Sequence, residues 1–546
     1  PLVRRRSIHA VLIMWVCTST TGRMSVQYCT DMTSSDEAAR PRGRNRSPRA
    51  ARASRDTAHL RHVRNPFGGA RALSDDEVEH LHETALAYLQ RSGIKVLLPE
   101  ARARFATAGA TIDHDTQMVR FDTHLLRTLL ALAPAAFTLH ARNPEWDQQL
   151  GGDHLVLVPV AGPPYVADRV RGRRVGTFAD FSDFLRLHQR CDVMHSSAPS
   201  VEAQDLPMAE RSLRTTHAVL TLTDKVPYVY ARGRAVLADS YEMIRLANGI
   251  DHDEFVSRPY CWMNINTNSP RQLDVPMCMG IIDSAAAGQV TVMTPFTLAG
   301  AMAPVTLAGA LLLQHVEAIA AIALAQVVRP GAPVMYGAFT SNVDMRSGAP
   351  AFGTPEGFRA AIASGQLARH LGVPWRSQAT STSNTEDAQG AYETMVSLTG
   401  ALLGGANMII HAAGWQEGGL TGSFEKFVLD VEALEVVADG MQPVQVDDAA
   451  LAIDAIDAVG PGGHFFGTQH TLDRFETAFH EPSVFTRQNF GQWTDGGSVD
   501  AADRATEVYQ RWLREYEQPP MPDDRRAALD DFMARRIAEG GALPES

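Results

Sequence analysis

Apolar and polar residues recur along this chain with two different periods. From Leu73 to Gly93 the run LSDDEVEHLHETALAYLQRSG repeats its apolar residues three and four apart, as one face of an amphipathic helix does. Ser74 and Glu77 stand at capping-box spacing at its start, and Gly93 offers a C-terminal stop. Short runs of strand character follow: IKVLLP, MVRFD, AFTLHA and HLVLVPVAG. Together they predict a small N-terminal α/β domain over residues 73–176.

At Thr177 the pattern becomes regular. TFADFSDFLRLHQR reads as a helix capped by Thr177 and Asp180, and strands and helices then alternate. The strands predicted are DVMHSS, VPYVYA, RPYCWMNIN, QVTVMTP, APVMYGAF, PWRSQATS, ANMIIHAAG and GHFFGT. Helices start near Leu206, Leu237, Gln272, Val305, Pro355, Asp387 and Ser423. Eight strands, each followed by a helix, predict an α/β fold, a TIM (β/α)8 barrel over 177–471. A doubly wound open sheet is the alternative. In the barrel reading GHFFGT is the eighth strand, and its exit loop faces the mouth, where sites of such barrels sit. From Leu472 on, DAADRATEVYQRWLREYE and DDRRAALDDFMARRIAEGG predict a helical C-terminal extension, 472–546, packed on the barrel wall or on a neighbour.

Charge alters the picture at one end. The formal net charge is −12, yet the first seventy or so residues are rich in arginine (RRR, RPRGRNRSPRAARASR), so the body is more acidic than the total implies. An acidic body argues against nucleic acid as the main partner. Residues 1–72 read as a disordered leader; its start, RRRSIHAVLIMWVC, has a signal-like outline, but an upstream-extended reading frame ahead of Met24 or Met32 is the preferred reading. The most apolar helix, TLAGALLLQHVEAIAAIALAQVV, is interrupted by Gln314, His315 and Glu317, so it reads as a buried helix and no membrane is expected. Cys17, Cys29, Cys191, Cys261 and Cys278 show no metal or redox spacing and suit reduced thiols in a cytoplasmic protein.

Cofactor motifs are absent from the sequence. There is no P-loop, H-E-x-x-H, paired CxxC or D-x-H-x-x-G corrinoid signature, and GPGGHFFG matches a dinucleotide pattern only loosely. The chain is thus expected to bind no metal and to hold no cofactor tightly.

The candidate site comes from strand alternation. In RPYCWMNINTNSP, Cys261, Met263 and Ile265 form the helix-facing set, which turns Tyr260, Trp262, Asn264 and Asn266 into the barrel. In ANMIIHAAGWQEGG, Met408 and Ile410 are assigned to the helices, Asn407 and His411 to the interior, and Trp415 and Glu417 to the exit loop. VMYGAF contributes Tyr336 by the same argument. An aromatic pocket without metal ligands suits a quaternary ammonium ion, held by the ring quadrupoles. Arg346, in NVDMRSGAP, is a candidate for a carboxylate on the same ligand.

Several runs resemble the trimethylamine methyltransferase family: LHARNPEWDQQLGGD, GPPYVAD, DMRSGAPAFGTPE, GQLARHLGVPWR, DAQGAYE, GANMIIHAAG, VGPGGHFFGTQHTLDRF and RQNFGQWTDGG. The likeness covers nearly everything from Leu73 onward. It implies a barrel that moves a methyl group from an amine to the Co(I) of a separate corrinoid protein. The namesake enzymes contain pyrrolysine; this chain shows none and so resembles the non-pyrrolysine branch, which includes glycine betaine methyltransferases. The resemblance makes Tyr165 and His411 substrate-contacting positions; His411 is the catalytic candidate, and because the transfer needs no proton it is expected to orient the substrate or stabilise its carboxylate rather than act as a base.

The chemistry agrees with that branch. Removing a methyl from a quaternary amine expels a neutral tertiary amine and needs no proton. Charge on nitrogen fades in the transition state, so an over-strong cation cage would favour the substrate instead. The partners expected are a small quaternary amine, a corrinoid (cobalamin) protein and a second copy of the chain. Two alternatives stay open: a non-catalytic quaternary-amine binder, and methyl transfer to a folate-type acceptor.

Overall fold

Six parallel strands form the centre of the computed structural model, which describes residues 57–545. They are β1 (His154–Leu157), β2 (Trp262–Thr267), β3 (Val290–Pro295), β4 (Val334–Gly337), β5 (Trp375–Gln378) and β6 (Met408–Ile410), hydrogen-bonded in the order β1-β6-β5-β4-β3-β2. Two extended pieces lie between the outer strands. His195 N–H donates to Leu157 O (2.9 Å), Ser197 N–H to Val226 O (3.0 Å) and Val229 N–H to Trp262 O (3.0 Å). Ser196 bridges Val226 and Tyr228 bridges Trp262, both in parallel register. Backbone hydrogen bonds therefore connect β1 to β2 through residues 195–197 and 226–229.

These two pieces are too irregular to count as strands, and buried side chains hold them. His195 is fully buried; its Nδ1 accepts from Leu157 N–H at 2.8 Å, so the proton sits on Nε2, 2.7 Å from Leu60 O. The Lys225 ammonium donates to three carbonyls, of His188, Cys191 and Met194, each at 2.7 Å, and lies 3.9 Å from the Trp146 ring centroid. A buried ammonium is tolerated only with its protons engaged, and here they clamp the turn that leads into residues 195–197.

Strand phase follows burial on both faces, as parallel sheets require. Trp262, Val290, Val292, Met335, Met408, Ile410, Val156 and Val158 share one apolar cluster inside the sheet, while Cys261, Met263, Ile265, Tyr336, Trp375 and Ile409 join the larger cluster under the helices. The expected phase of β2 is observed. That of β6 is inverted: Met408 and Ile410 point inward, and Asn407 instead caps the floor, its side chain donating to Gly152 O and His154 O. The two apolar faces of MII are equivalent by composition, so only the neighbours could choose between them.

The GHFFGT run is a correction. Residues 463–467 are exposed and form no strand. Its expected place beside β6 is taken by β1, from HLVLVPVAG, which the sequence reading had placed in the N-terminal domain. The reason is burial: HLVL offers apolar side chains to both faces, whereas GHFF is hemmed by glycines. The leader reading also ends early. From residue 57 the chain joins the body, with Leu60 buried and Val63 paired to Leu155. The readings of residues 1–56, Cys17 and Cys29 included, lie outside the described residues.

Both capping boxes form, at Ser74/Glu77 and Thr177/Asp180. The Leu307–Val328 helix is apolar on all sides because it is surrounded: it packs on β3, β4 and the Asp75–Arg91 helix, with every residue from Gln314 to Ala325 buried. Helices at Ala501–Arg514 and Asp523–Ala538 follow near the C-terminus, the first against Phe424–Gly440.

Buried histidines make this fold acid-sensitive. Burial pulls His195 down to about 3 and His82 down to about 4 from 6.5. Below that ordinary value the unfolded chain takes up a proton at each site that the folded chain refuses. Stability is then complete above pH 6.5 and declines as the pH falls towards 4, by about 1.4 kcal/mol per unit for each histidine. Urea titrations at pH 7 and pH 5 are expected to differ by about 4 kcal/mol from these two groups; equal midpoints would contradict the burial described.

Candidate active site

Because the strands are parallel, their C-terminal ends open on one side. Segments leaving those ends bring together Val160 after β1, Phe296 and Leu298 after β3, Phe339 and Val343 after β4, and Trp415 after β6. With Phe352 they form an apolar cluster distinct from the interior one. Phe339 is its hub, with ring centroids 4.9 Å from Phe296, 5.5 Å from Phe352, 6.0 Å from His411 and 6.3 Å from Trp415.

His411 enters this cluster through its backbone. Its φ of 60° is left-handed, a costly conformation for a residue with a Cβ. It interrupts the alternation of β6 and delivers the ring to the mouth, 4.0 Å from the Trp415 ring. Nδ1 accepts from Ala161 N–H at 3.2 Å, so the proton resides on Nε2. Burial, and secondarily the Arg376 charge, hold its pKa well below the ordinary value. His411 is thus a neutral imidazole presenting an N–H donor. Trp415 is set by pairing with Gly422 and by Gly419, where any Cβ would run into the indole.

The decisive group is Arg376, on β5. It is almost fully buried (1%), and it shares the inward face with Met408, its neighbour in register. Nη1 donates to Ala338 O at 3.2 Å, Nε has no partner, and no ion pair reaches it among the described residues. Its Cζ lies 5.5 Å from the Phe339 centroid. Burial lowers its pKa to about 9, so it remains charged at neutral pH. The Trp415 indole N–H also lacks a partner. A buried guanidinium with a free edge, an unpaired indole N–H and an imidazole N–H, all three on side chains that pack around the Phe339 ring, are a set of donors without an acceptor among the described residues. Such a set is stabilised when an anion enters.

The residues expected from sequence do not all come together. His411 and Trp415 meet at the mouth. Asn264 and Asn266 face the same side from β2: Thr294 donates to Asn264 Oδ1 at 2.7 Å, and Asn264 donates to Asn266 Oδ1 at 2.7 Å. Asn266 is exposed, so the mouth reaches solvent there. Trp262 points inward but lies in the interior apolar cluster, its Nε1 donating to Ser196 Oγ at 2.8 Å. Tyr165 lies in a small sheet with Trp415, and the Arg173 guanidinium covers its ring at 3.6 Å. Tyr336 and Arg346 are corrections. Tyr336 faces the helices, where Gln314 Nε2 donates to its hydroxyl at 3.1 Å, because its neighbour Met335 holds the inward position. Arg346 sits exposed on the turn between Ser341–Val343 and Pro350–Ala351. Arg376 was missed, although a lone charged residue within the buried strand PWRSQATS marks it.

Buried acids and amides support the mouth from behind. Glu317 accepts from Thr267, from Ser269 Oγ at 2.7 Å and from Arg271 N–H at 2.8 Å, pinning the exit of β2. Thr340 donates to Gln314 Oε1 at 2.5 Å and pairs with Thr297, which ties the segments carrying Phe339 and Phe296 together.

The model of the trimethylamine methyltransferase (MTTB) family matches residues 40–541. The chain belongs to the trimethylamine methyltransferase family. The glycine betaine methyltransferase of Desulfitobacterium hafniense (strain Y51) is 34% identical over 471 residues, 86% of this chain and 98% of that protein. Trimethylamine methyltransferase MttB2 of Methanosarcina mazei is 30% identical, covering 86% and 96%. Among solved structures, the hydroxylamine MtmB complex resembles this family member in fold at a TM-score of 0.50 and 11% identity, covering 84% of this chain and 88% of that one. The coarse activity that follows from the family is methyl transfer.

An uncompensated buried charge weakens a fold. Arg376→Met, similar in length and apolar, is therefore expected to stabilise the empty protein by about 1–3 kcal/mol. Urea unfolding measures this, and a loss of stability would mean that Arg376 has a partner in the folded state.

Proposed function

We propose that this family member takes a methyl group from a betaine-type quaternary amine and passes it to the Co(I) of a separate corrinoid protein. We read the sheet with its two connecting pieces as a (β/α)8 barrel and the mouth as its catalytic end. The observation that carries the reading is Arg376: a buried guanidinium without a carboxylate, beside the His411 and Trp415 donors and against the Phe339 ring. In this reading the ligand carboxylate meets Arg376, the His411 Nε2–H and the Trp415 indole N–H. Its methylated nitrogen lies among the rings of Phe296, Phe339, Phe352 and Trp415. Arg376 replaces Arg346 as the carboxylate partner. The 34% identity to a glycine betaine methyltransferase supports the same substrate class.

The chemistry asks little of the protein beyond placement. A corrinoid partner supplies the nucleophile for the methyl carbon. The described thiols are unsuited to that role: Cys191, Cys261 and Cys278 are buried, and burial raises all three pKa values. The departing tertiary amine needs no proton, which agrees with a neutral His411 that donates from Nε2. The nitrogen meets Phe and Trp rings rather than carboxylates, so the site holds the cation weakly enough for charge loss on nitrogen to proceed. Anchoring the carboxylate fixes which methyl faces the opening, and positioning of this kind is the larger contribution.

Glycine betaine added to the protein with Co(I) cobalamin or a corrinoid protein is expected to give the methyl-Co(III) absorption spectrum. Calorimetry should show glycine betaine binding well above choline, which carries the same cation without the carboxylate. Arg376→Met is expected to weaken betaine binding by about 3 kcal/mol, roughly a hundredfold, while leaving choline unaffected. Equal affinities for the two ligands would overturn the carboxylate assignment, and binding without methyl transfer would leave a quaternary-amine binder.

A further inference from the structure

Behind the loop that carries His411 and Trp415 lies a buried ion pair. Lys426 and Asp430 stand four apart on the Phe424–Gly440 helix, with side chains 2% and 7% exposed. The ammonium donates to Asp430 Oδ1 and, at 2.8 Å, to Thr394 Oγ1 on the Ala388–Leu403 helix. The second carboxylate oxygen, Oδ2, accepts from the Gly414 N–H at 2.9 Å. The carboxylate thus joins the helix layer to the loop between β6 and Trp415.

That loop turns twice. His411 and Gly414 both take left-handed angles, φ 60° and 90°. Between them the backbone still pairs with the segment leaving β1: Ala412 N–H donates to Val158 O and Val160 N–H to Ala413 O, both at 2.9 Å. At Gly414 the carbonyl accepts from Ser423 N–H at 3.0 Å, and the N–H is received by Asp430. The glycine lies tight against its surroundings, since a Cβ there would sit 3.2 Å from Val160 Cγ1 and 3.3 Å from Phe427 Cβ. Beyond Trp415, Gln416 Nε2 donates to Glu386 Oε1 at 2.8 Å. Trp415 is therefore flanked on both sides by residues tied to a carboxylate. The ion pair adds little to the fold as such. Burial raises the Asp430 pKa against the pull of the Lys426 charge, and apolar residues of similar volume often serve a fold as well as a buried pair does. What apolar residues cannot supply is an acceptor for a buried N–H.

We propose that Asp430 is a positioning residue, held by Lys426, which fixes the His411–Trp415 loop through the Gly414 N–H and so sets where the imidazole and indole donors point. The inference rests on the proposed role of His411 and Trp415 in holding the ligand carboxylate. A loop hinged at two left-handed residues and lacking this anchor spreads the two N–H groups over several directions. Donors that converge on one carboxylate lose much of their worth when their placement loosens.

Two double variants of the full chain separate the anchor from the ion pair. Lys426→Met with Asp430→Leu removes both charges and the acceptor; Lys426→Met with Asp430→Asn removes both charges and keeps an oxygen for Gly414. In calorimetry the leucine variant is expected to bind glycine betaine about tenfold more weakly, with choline little changed, and the asparagine variant to stay within about threefold of the wild-type protein. Hydrogen exchange across residues 411–416 should quicken about tenfold in the leucine variant and not in the asparagine variant. A leucine variant that matches the wild-type protein in betaine affinity and loop exchange overturns the proposal, and so does an equal loss in both variants. If the wild-type protein holds no betaine, the reading of the site falls, and loop exchange alone decides the anchor. Should the leucine variant fail to fold, the Gly414 amide of the wild-type protein decides: exchange as slow as in β6 supports the anchor, and exchange as fast as in exposed loops refutes it.

Discussion

The parallel sheet must satisfy every buried backbone group along its edges, and the whole molecule is arranged around how it does so. Two of the pieces joining β1 to β2 are not regular strands. Their hydrogen bonds are completed by groups that are expensive to bury alone, the His195 imidazole and the Lys225 ammonium. Each is tolerated because every proton or lone pair it exposes meets a backbone partner. Once this path is complete, all the strands run one way, and their C-terminal ends converge on one mouth.

That mouth combines two environments which normally oppose each other. A cluster of phenylalanines lowers the local dielectric, and within it Arg376 keeps a charge that no carboxylate among the described residues offsets. The same apolar surroundings that make the charge costly in the empty protein strengthen its pull on an incoming anion. In the proposed reading, stability is given up where binding is wanted, a common trade at functional sites. His411 shows it at the backbone level, with a left-handed conformation held by neighbours on both sides.

The family assignment and the geometry speak to different levels. Family membership carries methyl transfer. The arrangement of Arg376, His411 and Trp415 around Phe339 carries the proposed choice of substrate and of the end by which it is held.

By itself the sequence determined the periodic elements and the inward face of β2, because alternation about Cys261, Met263 and Ile265 is unambiguous when one face must meet helices. It also determined the two capping boxes, which need only residues three apart. The tertiary structure decided the rest. MII in β6 has two equivalent faces, so its phase came from its neighbours, and His411 reached the mouth through a backbone angle that no alternation rule contains. Tyr336 turned outward because Met335 fills the interior layer, and β1 rather than GHFFGT stands beside β6 because only HLVL buries apolar groups on both sides. The lone arginine of PWRSQATS was visible from the start. That it has no counterion among the described residues is a property of everything packed around it, and of no residue near it in the chain.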